Sequence, residues 1–271
     1  MSELLNEIRE AFGFNQNVSD GLLITILVVG VLLVIFSIIA LVISIWLGIS
    51  YHRYNKIQNS LGKTGEEVAR ELLDKNGLQN IKVSKNGSIL FGNSYSHYFK
   101  KVRLRRLTWK KDSVTSLAMA CQKSSLAVMD KEKDPAMKMQ IILTPFIYFG
   151  PIAFVPLVII GALIDVIIIK NNNFYVTLVC CCLAILFYAL SFIFSILILK
   201  TEKKAQEKAL VLMKEDNLAT DEEIEMCKKL FKLYNIEYIN NMIIALLELV
   251  YRILLLVADA KSGSFSTSSK D

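Results

Sequence analysis

The sequence predicts an α-helical multi-pass membrane protein, with about four transmembrane helices and a small, mainly helical α+β cytoplasmic domain. Three observations predict it. The 271 residues are 54% hydrophobic, above the roughly 45–50% of an ordinary soluble domain. The excess is gathered into four long apolar runs with polar stretches between them. Lys and Arg are concentrated in two of those polar stretches, as expected of segments retained on the cytoplasmic side.

Residues 1–20 read as an extracytoplasmic tail. Its charges are Glu3, Glu7, Glu10 and Asp20 against Arg9 alone, which argues against a cleaved signal peptide. Residues 21–49 carry no charge and exceed the roughly 20 residues that a bilayer core requires, so they read as transmembrane helix 1. Residues 50–140 follow as the cytoplasmic domain. Residues 141–169 read as transmembrane helix 2, with Pro145, Pro151 and Pro156 predicting a late start or a kink. Its one acid, Asp165, is a functional candidate by default, although nearness to Lys170 also suits an interfacial position. Asn171, Asn172 and Asn173 form a polar turn, and residues 174–199 complete a hairpin as transmembrane helix 3. Residues 200–237 read as a cytoplasmic segment of two helices, 200–215 and 221–237. Residues 238–258 form a fourth helix, transmembrane or interfacial, on which Glu248 and Arg252 are four apart and face one side as a possible intramembrane pair. The Ser-rich residues 259–271 read as a disordered tail.

Charge fixes the orientation. Residues 51–139 hold eighteen Lys/Arg against eight Asp/Glu, and residues 200–237 hold eight Lys/Arg. Both segments are therefore expected inside, in a cell membrane, with an even number of spans between them. Within the first, Thr64 to Glu67 has the pattern of a capping box, opening a helix that Gly77 closes. IKVS and SILF read as short strands with Asn-Gly turns, and KKVRLRRL as a strand. Asp112 is placed to cap a helix through SVTSLAMACQKSSLAVMDK, with Leu117, Cys121, Ser124 and Val128 on one face. Thr220 to Glu223 is a second capping box.

Few residues suggest chemistry. The five Cys form no CxxC pair, and Cys180, Cys181 and Cys182 lie inside an apolar run, as core or lipid-facing residues rather than palmitoylation sites. The two His are His52, at the membrane boundary, and His97. Folding would have to bring His97 to Cys121 to make a nucleophile–base pair. The basic stretch 100–111, with Lys100, Lys101, Arg103, Arg105 and Arg106, is a possible anionic-lipid contact or a solvated strand face. No nucleic-acid motif accompanies it.

Several stretches, taken in order, carry a family resemblance. They are YNKIQNSLGKTGEEVARELLDKNGLQNIKV (54–83), SHY and KKVRL (96–104), the helix 113–130, KTEKKAQEKAL (200–210), IEYINN (236–241) and ALLELV (245–250). In this order they resemble the YugP-type neutral zinc metallopeptidases, a family of bacterial membrane proteins. The resemblance implies a zinc site built on an HExxH helix, in which two His one helical turn apart hold the metal and the Glu activates water. Here the corresponding positions read Gln122, Lys123 and Leu126, and Ser125 takes the place of the motif glycine. Glu202 matches the position of the family's third ligand, while its Lys/Glu-rich stretch reads as a solvated face; His97 matches a His in the family's SDHY-like stretch and reads as a turn or surface residue.

The expectation is therefore a pseudoenzyme, catalytically silent and without a cofactor, acting as a scaffold in the lipid bilayer. Its expected partner is another membrane protein or an active homologue, not nucleic acid. Two alternatives stay open. One is a membrane metallopeptidase with a rebuilt site around Glu202. The other is a transporter or channel component using Asp165, Glu248 and Arg252.

Overall fold

The computed structural model describes residues 2–86, 92–147, 149–169 and 175–262. The strand expected at SILF and the Asn171–Asn173 turn fall outside these residues, as does the Ser-rich end beyond Ser262, while residues 259–262 of the expected disordered tail are helical. The chain divides into two compact units, Met1–Ile39 with Thr144–Ser195 and Asn240–Asp271, and Ala40–Leu143 with Ile196–Ile239.

The long helices dominate both. Helix α2 (Asp20–Tyr54), helix α8 (Tyr175–Glu215) and helix α9 (Asp221–Ser262) are long and apolar enough, by length and composition, to cross a membrane. At about 1.5 Å per residue each extends some 50–60 Å, well beyond a hydrocarbon core of about 30 Å. The apolar runs and the polar segments beside them are thus single helices. The expected helix at 200–215 continues the third run, and that at 221–237 continues into the fourth.

In the first unit, the N-terminal tail forms helix α1 (Ser2–Phe12). Leu5 packs in a cluster with Phe14 and Val18 of the segment before α2, Leu23 and Ile26 of α2 and Ala258 of α9, and Arg9 pairs with Asp20. The described residues of the second apolar run belong to helix α6 (Pro135–Ile147) and helix α7 (Phe149–Leu163), and α7 passes into a π-helical turn, Ile164–Ile169. Pro156 lies inside α7, where it supplies no N–H donor to the helix. Gly161 lets α7 approach α8, since a Cβ there would lie 2.8 Å from Thr177 Cα and 3.1 Å from Cys180 Sγ.

The second unit is built around helix α5 (Val114–Lys131), in which every residue from Val114 to Met129 except Lys123 is buried. The expected single apolar face of Leu117, Cys121, Ser124 and Val128 thus understates its burial, because neighbours surround it. Its N-cap is Ser113, whose hydroxyl accepts from Ser116 N at 3.2 Å. Asp112 instead accepts from Gln58 Nε2 at 2.7 Å, so the cap lies one residue beyond the expected position. Helix α3 (Gly65–Lys75) has the expected capping box, and its C-terminus is closed by Gly77 at φ +66°. Gly65 is required by packing, for a Cβ there would lie 2.1 Å from Thr108 O of helix α4 (Arg106–Lys110). The sheet has the order β1-β3-β2, with β1 (Lys82–Asn86) parallel and β2 (Ser94–Ser96) antiparallel to β3 (Lys101–Arg105). Val102 and Leu104 of β3 enter the core. The second capping box opens α9, with Thr220 N donating to Glu223 Oε2 at 2.8 Å and Glu223 N to Thr220 Oγ1 at 3.3 Å. The Glu223 carboxylate also accepts from Ser60 N and Oγ, tying α9 to the segment before α3.

Candidate functional site

Gln122 and Lys123 lie side by side near the middle of α5, and Glu202 lies on α8 just past its apolar stretch. The fold brings the three together. Glu202 Oε2 accepts from Gln122 Nε2 at 2.9 Å and from Lys123 Nζ at 2.8 Å. Glu202 Oε1 is 3.4 Å from Gln140 Nε2 of α6. The Lys123 side chain is 13% exposed and that of Glu202 21%, so this charge-assisted contact is only partly screened by solvent.

Further contacts fix α8 against α5 and the turn that follows it. Lys208 pairs with Glu132 at 2.8 Å, Lys204 pairs with Asp134, and Thr201 Oγ1 donates to Ala136 O at 3.0 Å. Leu126 is buried with Met129, Met137 and Ala205 of α8, and with part of Tyr95. The three motif positions therefore line one seam, two of them touching Glu202 and the third filling an apolar cluster. Gln140 joined this seam without a sequence signal, because nothing in α6 marks which of its polar residues faces α8.

Zinc does not fit this donor set. Zn²⁺ takes imidazole, thiolate or carboxylate, and of the four residues only Glu202 offers one of these. Leu126 has no donor atom, and the Lys123 ammonium brings a second positive charge toward any cation. Among the described residues, no group of three or more His, Cys, Asp and Glu is placed to hold a metal.

The other candidates are held in structural contacts. His97 Nδ1 lies 2.6 Å from Asp130 Oδ2, which also accepts from Tyr95 Oη at 2.6 Å. Burial, reinforced by that carboxylate, pushes the Tyr95 phenol pKa far up. Cys121 is buried in the main core with Cys227, and burial pushes both thiols up, the reverse of what a thiolate nucleophile requires. His97 and Cys121 therefore form no pair. His52 is exposed in the last turn of α2.

Within the apolar helices, Asp165 is buried and accepts from Val176 N at 3.2 Å, Thr177 N at 2.7 Å and Thr177 Oγ1 at 2.7 Å. It caps the N-terminus of α8 from the preceding π-helical turn. Glu248 and Arg252 share a face of α9 as expected, but no ion pair joins them. Glu248 Oε2 accepts from Tyr188 Oη at 2.5 Å. The Arg252 guanidinium lies 4.2 Å from the centre of the Phe154 ring and 5.7 Å from that of Tyr188. The two charges meet through an aromatic ring, because Tyr188 of α8 offers both a hydroxyl and a π-face there.

These features define a mostly helical protein with three helices long and apolar enough to cross a membrane, in which Gln122 and Lys123 of α5 meet Glu202 of α8. A family model described as "Putative neutral zinc metallopeptidase" matches residues 29–257, and the chain belongs to that family. It is similar to the "Putative membrane protease YugP" of Bacillus subtilis (strain 168), at 26% identity over 137 residues, 49% of this chain and 60% of that protein. The match thus spans less than two thirds of that relative's length. No solved structure matches.

Proposed function

We propose that this chain is a non-catalytic member of its family. In this reading it is a four-span membrane scaffold, with residues 50–140 and 200–237 on the cytoplasmic side, that binds a partner membrane protein or an active relative. The observation that carries the reading is the contact of Gln122 and Lys123 with Glu202. The ammonium supplies, on a covalent tether, the positive charge that a carboxylate ligand would otherwise receive from a metal. Unlike a metal, it has no open coordination position and cannot lower the pKa of a bound water toward neutrality. The motif's general base is absent as well, since Lys123 takes the place of the Glu. The excess of Lys and Arg in the two polar segments supports their sidedness.

The test restores the motif. A Gln122→His/Lys123→Glu/Leu126→His variant, purified in detergent, is expected to gain about one equivalent of zinc and to lose it when Glu202→Ala is added. The parent should show neither zinc nor cleavage of an unfolded protein substrate. Cleavage by the parent that is abolished by a chelator would overturn the reading.

A further inference from the structure

The turn between β2 and β3 presents a surface that the motif region does not use. Tyr98 and Phe99 at its tip are 73% and 70% exposed. The turn is closed by Lys100 N donating to His97 O at 3.2 Å, and Lys100 adopts a left-handed φ of 44°. At its base, the contact of His97 with Asp130 fixes the turn to α5. Two large aromatic side chains are thus held out in water by a braced turn, which core packing does not explain.

Cations surround them. Val102 and Leu104 of β3 point into the core, so the alternating Lys101, Arg103 and Arg105 project from the opposite face. The Arg103 guanidinium lies 5.6 Å from the centre of the Phe99 ring, which joins the charged face to the aromatic tip. Lys100 and Arg106 extend the charge at either end of the strand. None of these five cations has a carboxylate within 4 Å among the described residues, while ten ion pairs are formed elsewhere in them.

We infer that this turn and strand face form an anchor for the anionic phospholipid surface. In this arrangement Tyr98 and Phe99 insert at headgroup level, where amphipathic aromatics are favoured. Lys100, Lys101, Arg103, Arg105 and Arg106 neutralise lipid phosphates of an anionic leaflet. Two features select lipid as the occupant. The charge is of one sign and carries exposed rings at its edge, and the same chain carries helices able to cross the bilayer, so the local concentration of lipid is always high.

The test uses the full chain in nanodiscs of phosphatidylcholine, with and without phosphatidylglycerol, and reads amide hydrogen exchange in residues 97–106. Phosphatidylglycerol is expected to slow exchange at the turn about ten-fold or more. Raised salt should reverse the effect. Lys100→Gln/Lys101→Gln/Arg103→Gln should abolish it, and so should Tyr98→Ser/Phe99→Ser, whose exposed positions leave the fold intact. A Phe99→Trp variant should be quenched by brominated phosphatidylglycerol more than the parent protein. Equal exchange in the two lipids overturns the inference, as does protection that appears only on adding RNA, which would assign the patch to nucleic acid.

Discussion

Glu202 and Asp165 are both carboxylates at positions where the sequence suggests function, one where the family resemblance implies a ligand and one inside an apolar helix run. The structure occupies them differently. Glu202 faces an ammonium and two amide nitrogens from side chains. Asp165 faces two backbone N–H groups and one hydroxyl at the start of a helix. The first arrangement is charge against charge near an aqueous boundary, the second is charge against helix-end donors that lipid could not satisfy. A carboxylate flagged by position alone reveals its role only when the groups donating to it are known.

The contrast is broken most severely at Asp165. Asp165→Ala leaves three donors without an acceptor and should cost about 3 kcal/mol, read as a lowered thermal midpoint in detergent. Asp165→Asn keeps an acceptor and should cost clearly less. Lys123→Met comes next, at about 2 kcal/mol, since it strands Glu202 in a partly buried site. Adding Glu202→Gln to Lys123→Met should recover much of that loss, and the double-mutant cycle gives the coupling directly. If Lys123→Met alone were neutral, the pair would be no more than a surface contact.

The capped helices give smaller effects. Thr64→Ala should cost about 1 kcal/mol through loss of the capping box. The smallest effect concerns acid. The hydrogen bond from Lys63 holds the Glu71 carboxyl below its ordinary range, so its stabilising contribution is present above the unfolded pKa of about 4.3 and is lost as pH falls through the lower folded value. The thermal midpoint should decline with acidification below about pH 4, and less steeply in Glu71→Gln.

Much of this was legible in the sequence. Both capping boxes, the β3 strand and three of the four membrane-length runs follow from local patterns, and the structure contains each of these. The contact of Gln122 and Lys123 with Glu202 was not legible, since the Lys/Glu-rich helix around Glu202 reads as a solvated face until the fold lays it against α5. The rest depends on tertiary partners. The chain around α1 looks like an acidic tail until Leu5 is seen packed on α2 and α9. Glu248 and Arg252 have the spacing of an ion pair, yet Tyr188 on another helix draws both. Ser113 displaces Asp112 as a cap because Gln58, far away in sequence, engages the Asp carboxylate. Periodicity cannot reveal such competitors.

The seam of α5 and α8 holds the Lys123 ammonium against Glu202, and the proposed function requires that no metal shares that carboxylate. Elemental mass spectrometry of the parent protein, purified in detergent without chelator, tests it most directly. Less than about a tenth of an equivalent of zinc is the expected result. Close to one equivalent, lost on Glu202→Ala, would contradict the account and establish a metal site built from ligands other than the motif positions.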